Sequence, residues 1–75
     1  MKDSIELYIE HPTDYQQSEY VIVNYFIGWD GDEIDDLGID NWHSVDFAEW
    51  ITEEIVFAEL LLTIKNKAKK NEQFN

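Results

Sequence analysis

Tyr20-Val21-Ile22-Val23-Asn24-Tyr25-Phe26-Ile27-Gly28-Trp29 is β-branched or aromatic at all but two positions. Such residues fit a pleated, packed surface, and this is the strongest strand signal in the chain. Val21, Val23, Tyr25, Ile27 and Trp29 share one face, while Ile22 and Phe26 place apolar groups on the other. Upstream, Ser4 to Glu10 alternates strictly, with Ile5, Leu7 and Ile9 on one side, as a half-buried strand does. His11 to Ser18 is polar and holds the only proline, so it reads as a loop. The two strands are expected to pair as an antiparallel hairpin with a long connection. Downstream, Asp30 to Gly38 reads as a loop carrying five acids, Asp30, Asp32, Glu33, Asp35 and Asp36, and Ile39 to Val45 as a short third strand. Asp46-Phe47-Ala48-Glu49 has the form of a capping box and is expected to open a helix running to about Lys70, with Asn71 to Asn75 frayed. Acids in its first turns and lysines in its last suit the helix macrodipole. The fold expected is one α+β domain over 1–75, a small antiparallel sheet of two to three strands followed by one long C-terminal helix.

The chain has 75 residues, no cysteine, and an apolar content of 44% that includes three Trp, four Tyr and four Phe. Disulfides and thiolate zinc sites are excluded, and the aromatic content is too high for a disordered acidic tail. A core of this size gains from oligomerisation. The expected helix supplies a means: Ile55 to Leu62 is apolar everywhere except Glu59, so its apolar side chains point all round the axis. One small sheet covers only a stripe of a helix. A homodimer through Ile55, Phe57, Leu61 and Ile64 is expected, two-fold dimers being the commonest oligomers. Met1-Lys2-Asp3 leads into a charged, alternating segment, and no apolar run approaches the length of a bilayer span, so a cytoplasmic location is expected.

Charge placement is more informative than any motif. Seventeen acids against five lysines give a net charge of −12. From Asp3 to Ile64 every charged residue is an acid, and four of the five lysines, Lys65, Lys67, Lys69 and Lys70, follow. Repulsion on this scale opposes folding, and single-sign fields are best known for steering partners. A solubility surface or halophilic adaptation is the plain alternative, but a halophile spreads its acids over the whole chain. Direct nucleic-acid binding is excluded for want of a basic patch. The acidic loop lacks the ligand spacing of an EF-hand, and His11 and His43 are too few and too differently placed for zinc, so no metal or other cofactor is expected. Asp40, His43 and Ser44 are close in sequence, but neighbours along a strand point in opposing directions, and no enzyme activity is expected. The glycines Gly28, Gly31 and Gly38 fit no nucleotide fingerprint.

On a helix, Asp46, Glu49 and Glu53 fall within one arc, with axial steps of about 4.5 and 6 Å. DNA offers a phosphate about every 3.4 Å of axis along each strand, and carboxylates at that scale suit sites built for phosphates. In size, charge and sheet-plus-helix layout the whole chain resembles the small acidic DNA-mimic proteins of bacteriophages and mobile elements, without a diagnostic motif. That resemblance implies an inhibitor that takes over a basic host protein's DNA-binding surface: the nucleoid protein HU, a restriction or CRISPR effector, or a DNA-repair enzyme. The expected partner-binding carriers are Asp30, Asp32, Glu33, Asp35, Asp36, Asp46, Glu49 and Glu53. The alternatives are an immunity protein or antitoxin covering a basic toxin site through complementary potentials, and a structural adaptor dimer.

Overall fold

The computed structural model describes the backbone of residues 1–73 and the side chains of residues 1–67. Of the expected frayed end, residues 74–75 lie outside those limits, whereas the backbone of residues 71–73 continues the helix instead of fraying. Strands β1 (Lys2–Glu10), β2 (Ser18–Asp30) and β3 (Glu33–Ser44) form an antiparallel sheet in the order β1-β2-β3, and helix α1 (Glu53–Gln73) follows. This is the α+β layout read from the sequence, with β1 and β2 joined through a long loop.

Two boundaries differ from expectation. The acidic loop is not a loop: Glu33, Asp35 and Asp36 belong to β3, and only Gly31 and Asp32 turn between β2 and β3. Gly31 sits at φ 62, a left-handed conformation that glycine adopts without penalty, and Asp32 has no positive φ. That is the II′ pattern of two-residue hairpins. The strand expected from Ile39 is present, but its first half, Glu33 to Gly38, escapes sequence recognition because the register slips twice, between Asn24 and Tyr25 and between Gly28 and Trp29 of β2. The slips leave Asp40 and Asp35 as extra residues on β3. Each bulge reverses the parity of the strand. Ile34, Leu37, Ile39, Trp42 and Ser44 therefore stand opposite Trp29, Ile27, Tyr25, Val23 and Val21. Their spacing of three, two, three and two keeps the apolar set on one face, whereas strict alternation would scatter it.

The helix also starts later than expected, at Glu53 rather than Asp46. Thr52 caps it: the Ile55 N–H donates to Thr52 Oγ1 at 3.3 Å and the Val56 N–H to Thr52 O at 3.0 Å. Between β3 and α1 the chain folds back, burying Ile51 and half-burying Trp50, whose ring meets His11 edge-on at 4.9 Å.

The core lies between one face of the sheet and one stripe of α1. Leu7 and Ile9 of β1 and Val21, Val23, Tyr25 and Ile27 of β2 meet Val56, Leu60 and Ile64, spaced i, i+4, i+8. Ile64 is 7% exposed, so the chain's own core holds it, and the expected dimer surface loses this residue. The helix lies nearest β1, leaving Ile34, Leu37, Ile39 and Trp42 of β3 half-buried. The shortest dimension is 16 Å, enough for one sheet and one helix, a helix alone being about 10 Å across. The other face of the sheet is open. There Tyr8 packs on Tyr20 with ring centroids 5.1 Å apart, Asn24 Nδ2 donates to Asn41 Oδ1 at 2.6 Å, and Phe26 lies over Gly38.

Candidate protein-binding surface

The eight acids singled out in the sequence are all exposed. They do not form one site. Asp30, Asp32, Glu33, Asp35 and Asp36 cluster at the β2–β3 hairpin tip, brought together by the turn at Gly31 and the bulge at Asp35. Asp46, Glu49 and Glu53 lie at the opposite end, beyond the Val21–Ser44 pair. From Asp30 to Val21 the strand rise spans about 30 Å. Glu53 alone of these three is helical, so the expected helical arc of Asp46, Glu49 and Glu53 is not formed. Glu6 and Glu10, which sequence reasoning passed over, alternate with Tyr8 on the open face opposite Ile22 and Ser18, toward the end that holds Asp46. The strict alternation of β1 carries that signal, since residues out of phase with Ile5, Leu7 and Ile9 must face away from the core.

One acid is not on the surface. Glu19 is 3% exposed, on the core-facing side of β2. Its carboxylate accepts the Ser44 hydroxyl and the N–H groups of Asp46 (3.0 Å), Ala48 (3.3 Å) and its neighbour Tyr20 (2.9 Å). The Ala48 N–H also reaches Ser44 Oγ at 2.8 Å. The Ser44 hydroxyl foremost, then the Asp46 N–H, hold this carboxyl below the usual glutamate range, against the opposing effect of burial. These bonds explain the late helix start. They tie down the amides of 46 and 48, and Phe47 between them sits at φ 57, which no right-handed helix accommodates. Phe47 is 86% exposed.

Other polar groups serve local structure. His11 Nδ1 accepts the N–H groups of Asp14 (3.0 Å) and Thr13 (3.2 Å), which closes the β1–β2 loop. His43 and Ser44 stand on opposite faces of β3, His43 beside Ile22 on the open side and Ser44 against Glu19 within. A depression lined by Asp3, Ile5, Tyr25, Ile27, Trp29 and Ile64 lies between β1, β2 and α1. In it the Tyr25 hydroxyl donates to Asp3 Oδ2 at 3.3 Å, and burial first, with Asp3 beside it, pushes that hydroxyl's pKa up. Its volume of about 280 Å³ sits at the lower edge of small-molecule sites. Among the described residues no three His, Asp or Glu side chains converge as a metal site, and no helix is long and apolar enough to cross a membrane.

On α1, Ile55 and Leu61, expected at a dimer interface, are half-buried and Phe57 is 37% exposed, with Leu62 more exposed beside them. Phe57 and Leu61 are neighbours on one flank at i, i+4. No protein-family model matches the chain, and no curated protein or solved structure shows significant similarity to it.

Proposed function

We propose that the protein is an inhibitor that occupies the DNA-binding surface of a basic protein and keeps DNA off it. The observation that carries this reading is the run from Asp3 to Ile64, where sixteen acids meet no lysine or arginine. Fifteen of them are at least partly exposed, Glu19 being the exception. A surface of one sign raises the local concentration of a basic partner and speeds encounter. The strand geometry supports mimicry in particular. Residues along β3 advance about 3.3 Å each, close to the axial spacing of phosphates along one DNA strand. By that rise Asp35 and Asp36 are about one phosphate spacing apart, Glu33 and Asp35 about two, and Asp36 and Asp40 about four. The two acidic ends, about 30 Å apart by strand rise, suit a groove that tracks a length of duplex rather than a compact pocket.

We also propose that two copies pair through α1, using Ile55, Phe57 and Leu61. Glu53, Glu54 and Glu59 make the first half of the helix acidic, and Lys65 and Lys67 begin its basic end. Antiparallel pairing sets these opposite charges against each other across an apolar seam.

The test is affinity capture. The protein is immobilised, a bacterial lysate is passed over it, and bound proteins are eluted first with duplex DNA and then with rising salt. A basic DNA-binding protein displaced by the duplex supports the reading. Capture only of proteins that duplex DNA leaves in place would refute it.

A further inference from the structure

Phe47 breaks two local rules at once. It is the only non-glycine residue among those described with a positive φ, and it is a bulky aromatic, for which the left-handed region is a genuine outlier. It is also 86% exposed, so its ring gains almost nothing from the rest of the chain. Glycine or asparagine would make the same turn with less strain. The conformation is nevertheless firmly held. Glu19 accepts the N–H groups of Asp46 and Ala48, the residues on either side, and the Phe47 N–H donates to Ser44 O at 3.2 Å. A buried carboxylate is thus used to hold out an apolar side chain that the fold does not need. Strain of this kind persists where the surrounding structure over-determines it, and it gathers at ligand clamps and binding sites.

The surroundings define the occupant. Val45, joined to β2 by its N–H donating to Tyr20 O, is exposed, as are Tyr20 and Tyr8 in the same cross-strand row. Asp46 and Glu49 lie one residue before and two after Phe47 in the chain, both exposed, and no basic residue lies between Asp3 and Ile64. A second copy would bring the same acids against these and be repelled. A partner with a basic rim would be attracted. We propose that Phe47 is an anchor residue that enters an apolar pocket rimmed by lysine or arginine side chains on the partner protein. This rests on the reading that the acidic surface binds a basic protein. The long-range charge then governs encounter, and the preorganised ring governs how long the complex lasts.

The experiment compares wild type, Phe47→Leu and Phe47→Asn. The probe is the main protein that immobilised wild type captures from the heparin-binding fraction of a bacterial lysate, with rates followed by interferometry. Phe47→Asn should melt no lower than wild type, since the strain is relieved and no internal packing is lost. It should leave association within about twofold and speed dissociation at least tenfold, with Phe47→Leu in between. Unchanged dissociation, a lowered melting temperature for Phe47→Asn, or failure of wild type to capture any basic protein would each overturn the proposal. So would a fall in sedimentation mass on substitution, which would make a second copy the occupant. Displacement of the captured protein by duplex DNA is scored separately. Its absence would sink the DNA-mimic reading and leave the anchor result standing on the same complex.

Discussion

Gly38 and Phe26 face each other across β2 and β3 on the open side of the sheet, and a β-carbon added at Gly38 would lie 2.1 Å from Phe26 Cζ. No side chain fits under the ring, so Gly38→Ala must drive Phe26 off the sheet. Among the described residues Gly31 is the only glycine with a positive φ, so alanine suits the Gly38 backbone and the ring is the whole obstacle. Phe26 is 38% exposed, leaving a little over half of it buried. Fully burying a phenylalanine is worth about 1.5–3 kcal/mol, so expelling this ring costs about 1–2 kcal/mol. In a domain of this size each kcal/mol moves the melting temperature by about 4–8 °C, so a fall of about 5–15 °C is expected. The informative step is the double-mutant cycle, read by thermal melts in circular dichroism. In a Phe26→Ala background the obstacle is gone, and Gly38→Ala should stabilise by roughly 0.5–1 kcal/mol, as glycine in a strand interior costs about that much. The sign must reverse. If Gly38→Ala lowers the melting temperature equally in both backgrounds, the constraint lies in the backbone and the packing argument is wrong.

Glu19→Gln should lower the melting temperature at pH 7 while preserving the sheet. Because the folded chain holds the Glu19 carboxyl below the usual glutamate range, its contribution is complete above that range and lost as pH falls through the folded value. The gap between variant and wild type in melts at pH 7 and pH 3 should therefore shrink at the lower pH, and an equal gap at both would show that the charge is not what matters. Added sodium chloride should raise the wild-type melting temperature, since repulsion among acids is screened within about 10 Å at 0.1 M; a flat or falling curve would show that the acids do not strain the fold. Sedimentation equilibrium at micromolar concentration should give close to twice the 8.9 kDa chain mass, and Phe57→Glu should return it to the monomer. A wild-type monomer would dispose of the α1 pairing.

Where alternation runs unbroken, the residues announce the fold. β1 shows Ile5, Leu7 and Ile9 in phase, and β2 shows its inner face from Val21 to Trp29. The second half of β3, from Ile39, is legible, but its first half is hidden because Asp35 and Asp40 each insert one residue and reverse the phase, so its apolar set looks scattered and its acids look like a loop. The start of α1 is hidden for a different reason. Asp46-Phe47-Ala48-Glu49 has the local form of a cap, but the amides it would cap are claimed by Glu19, a residue distant in sequence. No window along the chain contains that competition. From sequence Ile64 reads as part of an outward dimer surface, because the apolar run from Ile55 to Leu62 obscures which stripe the sheet takes. Val56, Leu60 and Ile64 do lie on one stripe, but choosing it requires knowing where the helix rests. The eight surface acids are legible as exposed groups, while their separation into two ends follows only from the path of β3.

Competition with DNA tests the central claim most directly. A fluorescently labelled duplex is bound to the basic protein captured from lysate, and its anisotropy is followed as the acidic protein is added at several salt concentrations. The duplex should be released completely and stoichiometrically at low salt, with no DNA-containing ternary complex in a parallel gel shift. In direct titration of the acidic protein onto the same partner without DNA, affinity should fall steeply with salt, as it does when many exposed charges act together. Retention of DNA in a stable ternary complex, or direct affinity that does not respond to salt, would contradict the account.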